Sequence, residues 1–120
     1  MSPPRVLVGL GEILWDVFPD GPRFGGAPAN FACAAAQLGA RRVQVVMASG
    51  VGDDELGQQA ISRLHERGVD TRCVARLPRP TGRVLVELDA AGGASYQFEP
   101  NAAWDCLPWS DALAALAARV

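Results

Sequence analysis

The sequence predicts an α/β fold, a parallel sheet flanked by helices with a second, smaller sheet attached. Three observations predict it. Residues 5–67 alternate apolar strand and helix patterns in the order strand, helix, strand, helix, the arrangement of a parallel sheet with right-handed crossovers. The stretch FGGAPANFACAAAQLG at 24–39 carries no charge, opens on two glycines and closes on a third. From 71 to 99 the pattern changes to short β-branched runs separated by turn residues, which together with residues 12–24 form the small sheet.

Residues 5–9, RVLVG, are a short β-branched run leading into Gly11, as expected of a buried first strand. From 12 to 18 the alternation is imperfect, with Ile13, Trp15 and Val17 on one side and Leu14, Asp16 and Phe18 on the other. Two largely apolar sides predict a strand covered in part on both. Pro19, Asp20, Gly21 and Pro22 predict a turn. Pro28 suits a first helical turn, where its missing N–H would have had no intrahelical partner. The chargeless helix that follows cannot face water along its length and is expected to lie packed against a sheet.

Residues 43–48, VQVVMA, predict a second buried strand, and residues 49–52 a loop. Asp53 or Asp54 then caps a helix in which Leu56, Ala60, Ile61 and Leu64 recur at helical spacing, closed by Gly68. Runs at 71–77, 81–89 and 95–99 predict strands, the last two joined as a hairpin across Gly92 and Gly93. Their edges need a partner surface. Trp104 and Trp109 are expected to join Tyr96 and Phe98 in an aromatic core. Ser110 caps a final Ala/Leu helix pattern with no stop signal, so more sequence is expected to follow.

A chain of 120 residues can bury a core as one domain. A net charge of -2 gives no support for binding nucleic acid or an anionic membrane. All 11 basic residues are arginine, which removes lysine as a Schiff-base or Walker-type phosphate group while leaving backbone amides and arginine to bind phosphate. Cys33, Cys73 and Cys106 lack zinc-ribbon or redox spacing and read as unpaired thiols. No apolar run is long enough to span a bilayer and the N-terminus is a poor signal peptide, so the expected location is the cytoplasm.

Asp16 is the first candidate for chemistry. Set between Trp15 and Val17, its carboxylate needs a partner, either an arginine or amides of the fold or a ligand with several hydroxyls, since a carboxylate accepts from two at once. Gly25 and Gly26 allow backbone to approach a ligand closely. They do not make a dinucleotide fingerprint, because neither a G-x-G-x-x-G after a strand nor a distant acidic partner is present. Asn30 in the first turn of the helix offers a donor and an acceptor, as ligand group or local brace. The acids of GVGDDELG at 50–57 are explained by the preference of helix N-termini for negative charge, and no metal site is expected. His65, alone near a helix carboxyl end, supports neither a triad nor a metal site.

Several of these pieces, in order, resemble the N-terminal part of the PfkB, or ribokinase-like, carbohydrate kinases, and bacterial fructokinase-like members in particular. They are GEILWD at 11–16, GGAPAN at 25–30, LG at 38–39, GVGDDELG at 50–57, GVD at 68–70, PTG at 80–82 and AWD at 103–105. The resemblance covers the chain. It implies a ribokinase-like Rossmann-type core, present in its N-terminal part only across residues 1–120, with a β-sheet lid drawn from about 12–24 and 71–99. It implies ATP-dependent phosphorylation of a sugar hydroxyl, with Asp16 holding sugar hydroxyls and Gly25, Gly26 and Asn30 lining the same pocket. Gly52 and Asp53 are candidates for shaping the adjoining loop.

In the family the base and the anion hole come from a later Gly-Ala-Gly-Asp type motif, which this sequence lacks. The complete enzyme is expected to use ATP and Mg2+, and this chain to bind neither tightly. No catalytic residue is expected within it, and Asp16 is not a substitute base. The chain is expected to be a fragment of a sugar kinase, inactive alone. Other readings are a non-catalytic sugar-binding fragment or a homodimer through lid strands, and part of a nucleoside kinase of the same fold, whose ribose Asp16 would serve equally well.

Overall fold

In the computed structural model, which describes residues 3–120, one strand is the axis of the molecule. Residues Val43–Gly52 form a ten-residue strand whose last eight residues are all buried. Numbered in chain order, the strands are β1 (Arg5–Leu10), β2 (Leu14–Phe18), β3 (Gly21–Gly25), β4 (Val43–Gly52), β5 (Val74–Leu77), β6 (Gly82–Leu88) and β7 (Ala94–Phe98). The helices are α1 (Ala27–Gly39), α2 (Glu55–Glu66) and α3 (Asp111–Ala117). Short 3-10 turns occupy Ala40–Arg42 and Ala103–Cys106.

β4 lies between β1 and β5, parallel to both. Side chains alternate along a strand, so its two faces build two cores. Val45, Met47 and Val51 pack in a cluster with Ala29, Ala32 and Cys33 of α1 and Ala60 and Leu64 of α2. Val46 and Ala48 face the other way, against Leu113 and Leu116 of α3. Burial in the first cluster pushes the Cys33 thiol up, against the pull of Arg67 and Arg63.

Contact between α1 and β1 is close enough to demand a glycine. A methyl built on Gly9 would lie 2.9 Å from the Pro28 carbonyl oxygen and 3.3 Å from Ala32 Cβ. The helix presents Ala29, Ala32 and Cys33 inward. It packs against the sheet as expected, while its outer face is open to solvent, with Phe31 at 49% and Leu38 at 88% exposure. The mean composition of the segment is apolar, but only one side of a helix can meet one sheet.

The second sheet has four strands in the order β3, β2, β6, β7. β2 and β3 form an antiparallel hairpin, β2 and β6 run parallel, and β6 and β7 form the hairpin expected across Gly92 and Gly93. In that turn Asp89 Oδ1 accepts from the amides of Ala91 (2.9 Å) and Gly93 (2.7 Å).

The structure departs from the sequence expectations at three places. Residues 49–52 are strand rather than loop, because Ser49 to Gly52 pair with Val74 to Leu77. For the same reason the run at 71–77 belongs to the core sheet and not to the small one, which takes from that region only β6 and β7. The aromatic core does not form: Tyr96, Phe98 and Trp109 are 64%, 63% and 74% exposed, with only Trp104 partly covered. Among the described residues no helix is long and apolar enough to cross a membrane.

Candidate functional site

The site is built on β2, β3 and the start of α1. In the β2–β3 hairpin Leu14 lies opposite Gly25 and Asp16 opposite Arg23, so all four residues share one face. The opposite face is committed to packing. There Trp15 meets Phe24 edge to face, centroids 5.3 Å apart, and Trp15 Nε1 donates to the Leu56 carbonyl oxygen of α2 at 3.1 Å. Alternation along β2 therefore anchors Trp15 in the core and turns Asp16 the other way.

Asp16 is half-buried rather than deeply buried, and among the described residues its carboxylate has neither a hydrogen bond nor an ion pair. The cation opposite it is used elsewhere. Arg23 bonds Asp20 at 3.2 Å and lies 4.2 Å over the Phe18 ring. Of the two kinds of partner open to Asp16 from the sequence, the arginine of the fold is thus not the one found.

Gly25 leaves the space Asp16 occupies. A methyl built on Gly25 would stand 2.8 Å from Asp16 Oδ2 and 3.4 Å from Leu14 Cδ1. Gly26 has φ +100°, a conformation side chains rarely adopt, and a methyl there would fall 2.7 Å from the Glu12 carbonyl oxygen. The chain turns at Gly26 directly into α1, where the Asn30 amide donates to the Gly26 carbonyl oxygen at 2.9 Å. The Asn30 side chain is exposed and makes no hydrogen bond among the described residues. Asp16, Gly25, Gly26 and Asn30 are thus linked contact by contact along one hairpin edge and one helical turn.

Gly52 and Asp53 meet a different set of neighbours. Gly52 ends β4, where a methyl would strike the Arg79 carbonyl oxygen and lie 2.8 Å from Thr81 N. Asp53 is exposed and has no hydrogen bond among the described residues. Its neighbour Asp54 caps α2, accepting from the Gly57 amide at 2.8 Å and, from Thr81, the hydroxyl at 2.5 Å and the amide at 3.0 Å. Burial raises the Asp54 carboxyl, but the Thr81 and Gly57 bonds outweigh it and hold the group below its ordinary range. From the sequence alone Asp53 and Asp54 are equal candidates for the cap, and Thr81 has no role. The PTG segment and the spacing from Asp54 to Gly57 are the signals that could have separated them.

An ionised carboxylate with free lone pairs can accept from two adjacent hydroxyls, beside a side-chain amide that both donates and accepts. Two clefts lie elsewhere. One, of about 500 Å³, runs from His65 to Arg72, and an apolar groove of about 630 Å³ includes Leu10, Trp109, Leu116 and Val120. On the face that bears Asp16, Leu14 and Val84 are buried, Asp16 is half-buried and Arg23 is exposed.

Residues 21–117 match the model of the pfkB family carbohydrate kinases. The chain belongs to that family. It is 32% identical over 117 residues to fructokinase-2 of Oryza sativa subsp. japonica, an alignment covering 87% of this chain and 34% of the rice protein. The crystal structure of apo fructokinase from Vibrio cholerae O395 superposes with a TM-score of 0.74 at 33% identity, over 85% of this chain and 36% of that one. Fructokinase from Xylella fastidiosa with bound ATP superposes with a TM-score of 0.70 at 30% identity, over 84% and 35%. The chain therefore spans about a third of the length of the relatives it matches. These neighbours share the ribokinase-like α/β fold, of which this chain is a part.

Proposed function

We propose that this chain is the sugar-binding portion of an ATP-dependent, fructokinase-like carbohydrate kinase. Asp16 accepts hydrogen bonds from two hydroxyls of the sugar, Asn30 adds a donor and an acceptor, and Gly25 and Gly26 keep the backbone low enough for the sugar to approach. The four-stranded sheet serves as the lid over that sugar. One observation carries the reading: the Asp16 carboxylate stands over Gly25, unpaired among the described residues, while the arginine opposite it is engaged by Asp20.

In this reading the nucleotide–magnesium site lies outside the residues present. Among those described no three His, Cys, Asp or Glu side chains are grouped to hold a metal ion, and the sequence has no lysine. ATP and Mg2+ are assigned to the remaining length of the family fold. What this chain contributes is orientation, since phosphoryl transfer gains chiefly from positioned reactants and electrostatics. Lid closure would also shield the transfer from water.

Calorimetric titration with fructose tests the proposal. The chain is expected to bind, and Asp16→Ala to bind about tenfold or more weakly, the loss of charge-assisted hydrogen bonds. Equal affinity in the two chains would sink it. Phosphorylation of fructose by the chain alone would overturn the assignment of catalysis to the remaining length. A dimer through the small sheet is the second reading, favoured by β7, every residue of which is exposed.

A further inference from the structure

Two side chains run between the first turn of α2 and the small sheet. On one face of β2, Trp15 Nε1 donates to the Leu56 carbonyl oxygen. At the start of β6, Thr81, only 2% exposed, gives its hydroxyl and its amide to Asp54. The same hydroxyl accepts from the Gly52 amide at 2.8 Å, so the end of β4 is tied in as well. The seam has no spare room: a methyl on Gly57 would press on the Gly52 carbonyl oxygen and come within 2.9 Å of Thr81 Oγ1.

Strand register carries this seam to the candidate site. Gly82, directly after Thr81, lies beside Leu14, and Leu14 lies opposite Gly25. The next row on the same face is Val84, Asp16 and Arg23. Thr81 is therefore one residue from the row that contains Gly25.

We propose that Asp54 and Thr81 are a positioning pair that sets the attitude of the small sheet on the core, and with it the place at which Asp16 is presented to a polyol. Asp54 acts through Thr81 and touches no ligand. The link to a polyol rests on the function proposed above; the tether between the sheets does not.

Residual dipolar couplings of the full ¹⁵N-labelled chain read the tether directly, with sugar absent. In the unsubstituted chain the couplings of β1, β4 and β5 and those of β2, β3, β6 and β7 are expected to fit one alignment. Thr81→Val keeps the shape and leaves the Asp54–Gly57 cap intact. It is expected to make the two sheets require separate alignments, to speed Gly52 amide exchange and to weaken fructose binding, each of the latter about tenfold, the effect of one hydrogen bond to a charged group. Thr81→Ser, which keeps the hydroxyl, is expected to restore all three. Asp54→Asn is expected to show the same reorientation in smaller degree. An unchanged alignment in Thr81→Val overturns the proposal, as does loss of dispersed amide signals in both Thr81→Val and Asp54→Asn, which would make them folding residues. If the unsubstituted chain binds no fructose, the proposed function fails while the couplings still decide the tether.

Discussion

The two sheets of this protein differ in how much of their hold on the molecule is directional. In the core sheet, β4 buries its last eight residues between helices on both faces, and no single contact dominates. In the small sheet β7 is wholly exposed, and attachment to the core combines burial of Trp15, with Val17 and Phe24 against the same cluster, with two named bonds, Thr81 to Asp54 and Trp15 to Leu56. Burial is non-directional and tolerates small shifts, whereas a hydrogen bond fixes direction. In the function proposed above, the carboxylate that meets hydroxyls is carried by a sheet whose seat on the core includes such directional bonds.

That contrast can be broken or sharpened by experiment. The largest effect is expected in the core: Leu64→Ala, at a side chain with no exposure, should lower the unfolding free energy by about 2–5 kcal/mol in urea titrations. A loss below about 1 kcal/mol would mean that the core sheet does not depend on burial as described. Gly25→Ala should act on binding instead. The added methyl displaces Asp16 Oδ2, so fructose affinity should fall about tenfold in calorimetry with little change in melting temperature. Unchanged affinity would separate Asp16 from the site.

Acidification tests both regions together. Hydrogen bonds from Arg72 hold the Asp70 carboxyl down at about 2, and Asp54 is also lowered. Both are depressed in the folded state, so their contribution is complete above the unfolded carboxyl value of about 3.9 and is lost as pH falls toward the folded values. The urea midpoint should stay level down to about pH 5 and drop below about pH 4, with a shallower drop in Asp70→Asn. An equal drop in that variant would show that Asp70 has no part in the acid response. The smallest effect belongs to Tyr96→Ala, expected within about 0.5 kcal/mol of the unsubstituted chain. A larger loss, with a change in sedimentation mass, would favour the dimer through β7.

How much of this was legible in the sequence depended on how local the cause was. The strand–helix–strand–helix order, the Ser110 cap and the hairpin at Gly92 and Gly93 follow from neighbouring residues, and all are found. The exchange of β5 between sheets was not legible, because the partner of Val74 is Ser49, far away in the chain. Asp16 drew attention as a carboxylate among apolar residues. Its freedom from Arg23 could not be read, since that depends on Asp20 and Phe18 competing for the guanidinium. The pairing of Asp54 with Thr81 escaped for the same reason, the two being brought together only when β6 returns to the end of β4.

The parallel pairing of β2 with β6 has a consequence for the order in which the molecule assembles. Leu14 finds Gly82 only after α1, β4, α2 and β5 have been made between them. Closing so long a stretch of chain is entropically unfavourable until that stretch is itself compact. The β2–β3 hairpin must therefore wait for β6 to be made before the row that bears Asp16 is complete.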